Sequence, residues 1–353
     1  MNSDSSRDLR THCKYLIALG CFIFLAAANE SPAQADVNIT LSQVGNPGNA
    51  PDPLTGDGSV AYTFDIGTYD VTVSQYCTFL NAVANSDPYG LYDGVSTTDG
   101  NVASIARNGS SGDYTYSYSS GQGNDPMTYV SWLDAARFCN WLQNGEPTTG
   151  HETASTTEGG AYSLDGDTTS GLETRNAGAQ WWIPSQTEWY KAAYYDPALN
   201  SGSGGYWLYP TQSNTTPGNL IGNTPNQANY YTNTYSANQQ ASYASNVNYL
   251  TPVGSFTASA GYYGTFDQGG DVCQWTELTS GSFRLAAGTY WDRYSNSLES
   301  TGQGFNTYPT EADYRIGFRV ASVAAIPEPD ATKCILLGAS LGYLFLRRKA
   351  RSA

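Results

Sequence analysis

Three short signatures punctuate an otherwise irregular chain and limit what it can build. Each is a capping box: a Ser or Thr side chain accepts the amide three residues on, while that residue's acid or amide side chain reaches back. Thr72-Val73-Ser74-Gln75 opens the first, with Tyr76, Leu80 and Val83 at helical spacing. Ser131-Trp132-Leu133-Asp134 opens the second, with Ala135, Phe138, Cys139 and Leu142 on one face. Ser185-Gln186-Thr187-Glu188 opens the third just after Pro184, followed by Trp189, Ala192 and Ala193. Alternation of β-branched and aromatic residues with polar ones predicts short strands at 60–66, 283–289 and 316–322. The stretches 86–125, 144–178, 200–226 and 231–248 are rich in Gly, Ser, Thr and Asn and read as surface loops. So much irregular chain is uncommon in a compact domain unless the loops build a surface. With no internal repeat, the expectation is one α+β domain with few regular elements and long loops.

Charge narrows the function. The chain carries 16 Lys and Arg against 31 Asp and Glu, a formal net charge of −15. Eight of the cations sit in residues 1–35 and 327–353, so the body keeps eight cations against 26 anions. Such a field repels phosphate backbones and excludes nucleic-acid binding as a primary role. The two histidines are His12 and His151, which excludes sites that need a histidine cluster. Disorder is excluded too, because 13% of the residues are aromatic, 28 of them Tyr and 8 Trp.

The two ends read as addresses. Arg7, Arg10 and Lys14 precede an apolar run from Tyr15 to Ala28, and Ala33-Gln34-Ala35 is a cleavage pattern. Residues 1–35 are therefore read as a signal peptide for export, cut by signal peptidase, with an uncleaved anchor as the alternative. At the other end, Pro327-Glu328-Pro329 is followed by an apolar run from Cys334 to Leu346 and by Arg347-Arg348-Lys349. That order resembles the PEP-CTERM sorting signal of Gram-negative bacteria. The resemblance implies a tail, 327–353, whose short transmembrane segment is held in the inner membrane until an exosortase cleaves it. The mature protein is then released to the cell envelope or extracellular polysaccharide matrix. A plain C-terminal anchor is the alternative.

Six further segments carry a second resemblance, over most of the body. Tyr69-Asp70-Val71-Thr72-Val73-Ser74-Gln75-Tyr76, Pro126-Met127-Thr128-Tyr129-Val130-Ser131-Trp132 and Trp182-Ile183-Pro184-Ser185-Gln186-Thr187-Glu188-Trp189 come first. Pro252-Val253-Gly254-Ser255-Phe256 with Gly264-Thr265-Phe266-Asp267 and Gly270-Asp271-Val272, then Ala287-Gly288-Thr289-Tyr290, then Ile316-Gly317-Phe318-Arg319-Val320-Ala321, complete the order. In sequence and order they resemble the sulfatase-modifying-factor, or formylglycine-generating-enzyme, family. The resemblance implies a C-type-lectin-like α+β fold over 36–326, with loop insertions near 86–125 and 144–178.

The family's oxidase converts a sulfatase cysteine to formylglycine with copper, using two cysteines after the motif that Ala287-Gly288-Thr289-Tyr290 matches. Thiolates are the soft ligands that select Cu(I). Here the matching positions are Asp292 and Ser297, so copper is not expected. Cys77, Cys139 and Cys273 are the body's cysteines, and all three are expected as buried packing rather than nucleophiles. The family also holds calcium. By resemblance, one ion falls to Asp267, Gly270, Val272 and Gln274, and a second begins at Asn229 and Tyr230. Gln where the family has Glu removes one negative charge, and a turn held by Asp267 without metal is the alternative.

The expected function is that of a non-catalytic binding or extracellular-matrix protein, with a glycan or envelope protein as partner. Tyr290, Trp291 and Arg293, with Tyr206 and Trp207, are candidates for the ligand face, since aromatic faces stack on sugar rings. The alternatives are a divergent formylglycine-generating oxidase acting on sulfatase cysteines and a purely structural matrix component.

Overall fold

Each capping box starts a helix in the computed structural model, which describes residues 37–302 and 304–324. Helices α1 (Val73–Val83), α2 (Trp132–Gln143) and α3 (Gln186–Tyr194) carry Thr72, Ser131 and Ser185 as N-caps, with both reciprocal bonds present in each. The apolar faces of α1 and α2 meet. Phe79 lies 5.3 Å from Phe138 and 5.2 Å from Trp141 between ring centroids, and Phe318 closes on Phe138 at 5.4 Å. The signal segment and the tail, with Pro327–Pro329, Arg347, Arg348 and Lys349, lie outside the described residues. Among the described residues, no helix is long and apolar enough to cross a membrane.

Two four-stranded sheets frame the helices. One orders β1 (Leu41–Val44), β2 (Phe64–Gly67), β12 (Ala321–Val323) and β5 (Trp181–Trp182), all antiparallel. The other orders β10 (Phe305–Thr307), β9 (Phe283–Ala287), β8 (Cys273–Ser280) and β11 (Ile316–Gly317), with β11 parallel to β8. Two hairpins complete the set: β3 (Ile105–Asn108) with β4 (Thr115–Tyr118), and β6 (Tyr195–Asp196) with β7 (Gly205–Tyr206). The result is an α+β fold with few regular elements and long loops.

Segment 316–322, read as one strand, instead divides between the sheets. Phe318 and Arg319 are consecutive and both fully buried, which strict alternation on a half-exposed strand does not allow. Phe318 enters the helix core and Arg319 turns to a set of oxygens described below. The chain therefore leaves β11, crosses the core and joins β12 beside β2, tying the two sheets together.

The loops also differ from their composition. Segment 86–125 holds the β3–β4 hairpin and a 3₁₀ turn, Gly94–Thr98. Segment 144–178 has no regular element, yet Ala161, Tyr162 and Leu164 are buried. Asn140 on α2 holds it by donating to the carbonyls of Thr157 and Tyr162 and accepting from the Tyr162 amide at 2.8 Å. Arg137 adds a buried two-pronged pair to Glu158, at 2.7 and 2.9 Å. Arg284 on β9 stacks over Trp132 at 3.7 Å and donates to the Gly171 and Glu173 carbonyls. The 144–178 loop is thus a packed layer, held by side chains from α2 and β9 as well as by its own backbone turns.

Candidate functional site

After β9 the chain turns inward, and three loops gather on it. The Trp291 amide donates to the Asp271 carbonyl at 3.1 Å, and the Arg293 carbonyl accepts from the Tyr231 amide at 2.9 Å. Asn101 brings in the 86–125 segment: its carbonyl accepts from the Tyr249 amide at 2.9 Å. Its side-chain amide donates to the carbonyls of Ala244 and Val247 at 2.8 and 2.9 Å. Segments distant in sequence thus converge around one indole.

Between them lies a cleft of about 370 Å³, lined by Asp99, Asn101, Tyr235, Tyr243, Trp291, Asp292 and Tyr314. That volume falls within the range of small-molecule sites. Its base is a stack of rings: Tyr243 on Tyr249 at 5.9 Å and Tyr249 on Trp291 at 4.7 Å, with interplanar angles of 20° and 18°. Tyr235 packs 4.3 Å from Tyr249, and Tyr314 lies 5.8 Å from Trp291. Asp292 accepts from the Tyr235 hydroxyl at 3.3 Å, and Asp99 accepts from the Tyr129 hydroxyl at 2.8 Å. Partial desolvation lifts the Asp292 carboxyl above its usual range, against the Tyr235 hydrogen bond and the Arg293 charge. Burial and the Asp292 charge push the Tyr235 phenol up to about 12. The indole N–H of Trp291 is buried and finds no acceptor among the described residues, a state that costs about 1–3 kcal/mol.

Of the residues expected on the ligand face, Trp291 lines this cleft but is 2% exposed, so it serves as wall and core together. Tyr290 is buried, and Arg293 lies over its ring at 5.1 Å on the exposed side. Tyr206 and Trp207 line a separate cleft of about 430 Å³ beside Leu54. Sequence reasoning missed Asp99, Asn101, Tyr235, Tyr243 and Tyr314. The one signal available was the density of Tyr over 230–249 within an Asn- and Ser-rich stretch, the composition of adaptable binding loops.

Asp292, expected from the sequence at the first position of the family's thiol pair, stands in the cleft. The three described cysteines are unpaired and buried in separate places. Burial pushes the Cys77 thiol up to about 11 and raises Cys139 and Cys273 as well. None has the depressed pKa of a reactive thiolate.

The residues assigned to calcium come together, but not as a metal cage. Asn229 and Gly270 pair through the backbone, and a side chain on Gly270 would meet the Asn229 carbonyl at 2.1 Å, with φ at +96°. The Asn229 amide is spent on the Tyr249 carbonyl and on Asp271, each at 2.9 Å, and Asp271 also accepts from the Thr251 hydroxyl at 2.7 Å. The Tyr230 carbonyl accepts from Asn219 at 3.3 Å, Val272 is core, and Asp267 accepts from the Gly254 amide at 2.6 Å. The Gln274 side-chain oxygen takes two N–H donors, Trp189 at 2.5 Å and Arg319 at 2.7 Å. An oxygen facing a guanidinium is not free for a divalent cation, so this donor set does not fit calcium at Gln274. Arg319 gathers the oxygens instead. It donates to the Gly67 and Phe266 carbonyls at 2.9 Å and pairs with Asp70 at 3.4 Å. Among the described residues, no three His, Cys, Asp or Glu side chains form a group able to hold a metal ion.

This architecture is a mixed α+β domain with sparse strands, three capped helices and long packed loops. The sulfatase-modifying factor enzyme 1-like domain matches residues 51–324, and the chain belongs to that family. Similar solved structures include CarF, at 18% identity and a TM-score of 0.46 over 82% of this chain and 100% of that one. Treponema denticola variable protein 1 is similar at 16% identity and a TM-score of 0.43, covering 83% and 99%. PvdO from Pseudomonas aeruginosa is similar at 16% and 0.40, covering 83% and 98%. No curated protein sequence matches.

Proposed function

We propose that this chain is an exported, non-catalytic binding protein that uses the family scaffold to present a ligand cleft. The observation that carries the reading is the cleft itself, with Asp292 on its wall at a position matched to the thiol pair of the family's oxidase. Carboxylate and hydroxyl oxygens at Asp292 and Ser297 do not replace thiolates as ligands for Cu(I). What the cleft offers is apolar ring surface edged with Asp carboxylates, a surface suited to the faces and hydroxyls of sugars. The signal-like leader and the PEP-CTERM-like tail support delivery to the envelope or polysaccharide matrix, where a glycan is the favoured partner.

The test is a titration of the purified full-length chain with neutral, acidic and amino oligosaccharides, read by tryptophan fluorescence. The expected result is saturable binding of at least one class in the micromolar to millimolar range, roughly −8 to −4 kcal/mol. Tyr235→Ala and Tyr314→Ala should each weaken it. Binding by no class, together with self-association of the chain, points to a purely structural matrix component and overturns the reading.

A further inference from the structure

We propose that the cleft selects a positively charged amino sugar, a hexosamine unit whose amine is free. This rests on the binding-protein reading above and names its ligand class. Two carboxylates, Asp99 and Asp292, are among the described residues lining the cleft, and no Lys or Arg is. Asp292 is exposed, and the Tyr235 hydroxyl occupies its Oδ1, leaving Oδ2 to a ligand. An organic ammonium satisfies that carboxylate and is also attracted to the faces of Tyr243 and Tyr314.

Charge alone does not account for the remaining groups. The broad ring surface fits the apolar face of a pyranose. A sugar ring and an ammonium on one unit meet both demands. The body's excess of anions raises the local concentration of such a cationic polymer, with a salt dependence that a neutral glycan would not show.

The test is calorimetry on the full-length chain with a glucosamine tetramer, the N-acetylglucosamine tetramer and tetralysine. The account expects the glucosamine tetramer to bind about tenfold or more tightly than either of the others. Raising the salt should weaken that binding, and Asp292→Asn should reduce it by a similar factor while circular dichroism stays unchanged. Asp99→Asn is the second variant, should Asp292→Asn lose the fold. Equal binding of the N-acetylated tetramer would overturn the charge selection while leaving a glycan-binding protein. Equal binding of tetralysine would overturn the sugar. Binding by none of these or of any other oligosaccharide would overturn the binding-protein reading as well.

Discussion

Arg319 carries a positive charge into the centre of the fold, where it satisfies oxygens from three segments at once. Removing it by Arg319→Ala leaves the Gly67 and Phe266 carbonyls short of a buried donor. The expected cost is about 1–3 kcal/mol or more, read as a fall in the urea midpoint. Because Gln274 already faces this guanidinium, calcium should leave the melting temperature of the wild-type chain unchanged; a rise on titrating calcium would show the donor set open to metal. Glu152 is the opposite case, a buried carboxylate with no hydrogen-bond partner for either oxygen among the described residues. Burial and the nearby Asp87 charge push it up to about 8. Glu152→Gln should therefore stabilise the chain near neutral pH, by an amount on the order of 3 kcal/mol, and should have little effect in acid. At this scale the sequence was partly legible. Asp267 and Gln274 were visible as oxygen donors in a motif, but the hydrogen bonds that occupy Gln274 come from Trp189 and Arg319, 85 and 45 residues away.

At the scale of elements, the capping boxes could be read directly because a cap is a local bargain among four consecutive residues. All three helices begin where those residues place them. Thr72→Ala and Ser131→Ala should each cost about 1 kcal/mol in chemical denaturation. Glu188→Ala should cost clearly more, because that carboxylate also receives Arg175 at 3.0 Å, Tyr62 at 2.6 Å and Trp182 at 3.2 Å. Strands were harder to read. A two-residue strand such as β11 or β5 has no periodicity to detect, and its existence depends on partners far along the chain. The cleft was hidden for the same reason. Its walls come from the segments around 99, 235, 243, 291 and 314, and nothing local marks them as neighbours.

Across the whole molecule, buried acids set the response to pH. Burial raises Asp70 to about 7, with Asp267 adding to the effect and Arg319 opposing it, and it raises Asp267 and Asp125 to about 6. With Glu152, these groups keep their protons in the folded chain over a range where the unfolded chain, titrating near 4, has released them. Their contribution is complete below about pH 4 and is lost as the pH climbs through about 6 to 8. Glu188 works the other way: burial opposes its ionisation, but Arg175 and its hydrogen bonds prevail and hold it below its usual value. Its contribution is lost as the pH falls below about 4. Thermal denaturation should accordingly show the melting temperature rising from about pH 8 to about pH 5, then falling in stronger acid, by roughly 2–4 °C per kcal/mol. A melting temperature that climbs steadily from pH 5 to pH 8 would contradict the burial of these acids.

The proposal that this chain lacks oxidase chemistry is tested most directly on the substrate class of the family's oxidase. The full-length chain, loaded with copper(I), is incubated in air with a cysteine-containing sulfatase peptide beside an authentic formylglycine-generating enzyme, and the peptide is followed by mass spectrometry. The account predicts an unchanged cysteine here and conversion to the aldehyde in the control. Aldehyde formed by this chain would show that copper is held and used without the thiol pair, and a binding protein built around Asp292 would no longer describe it.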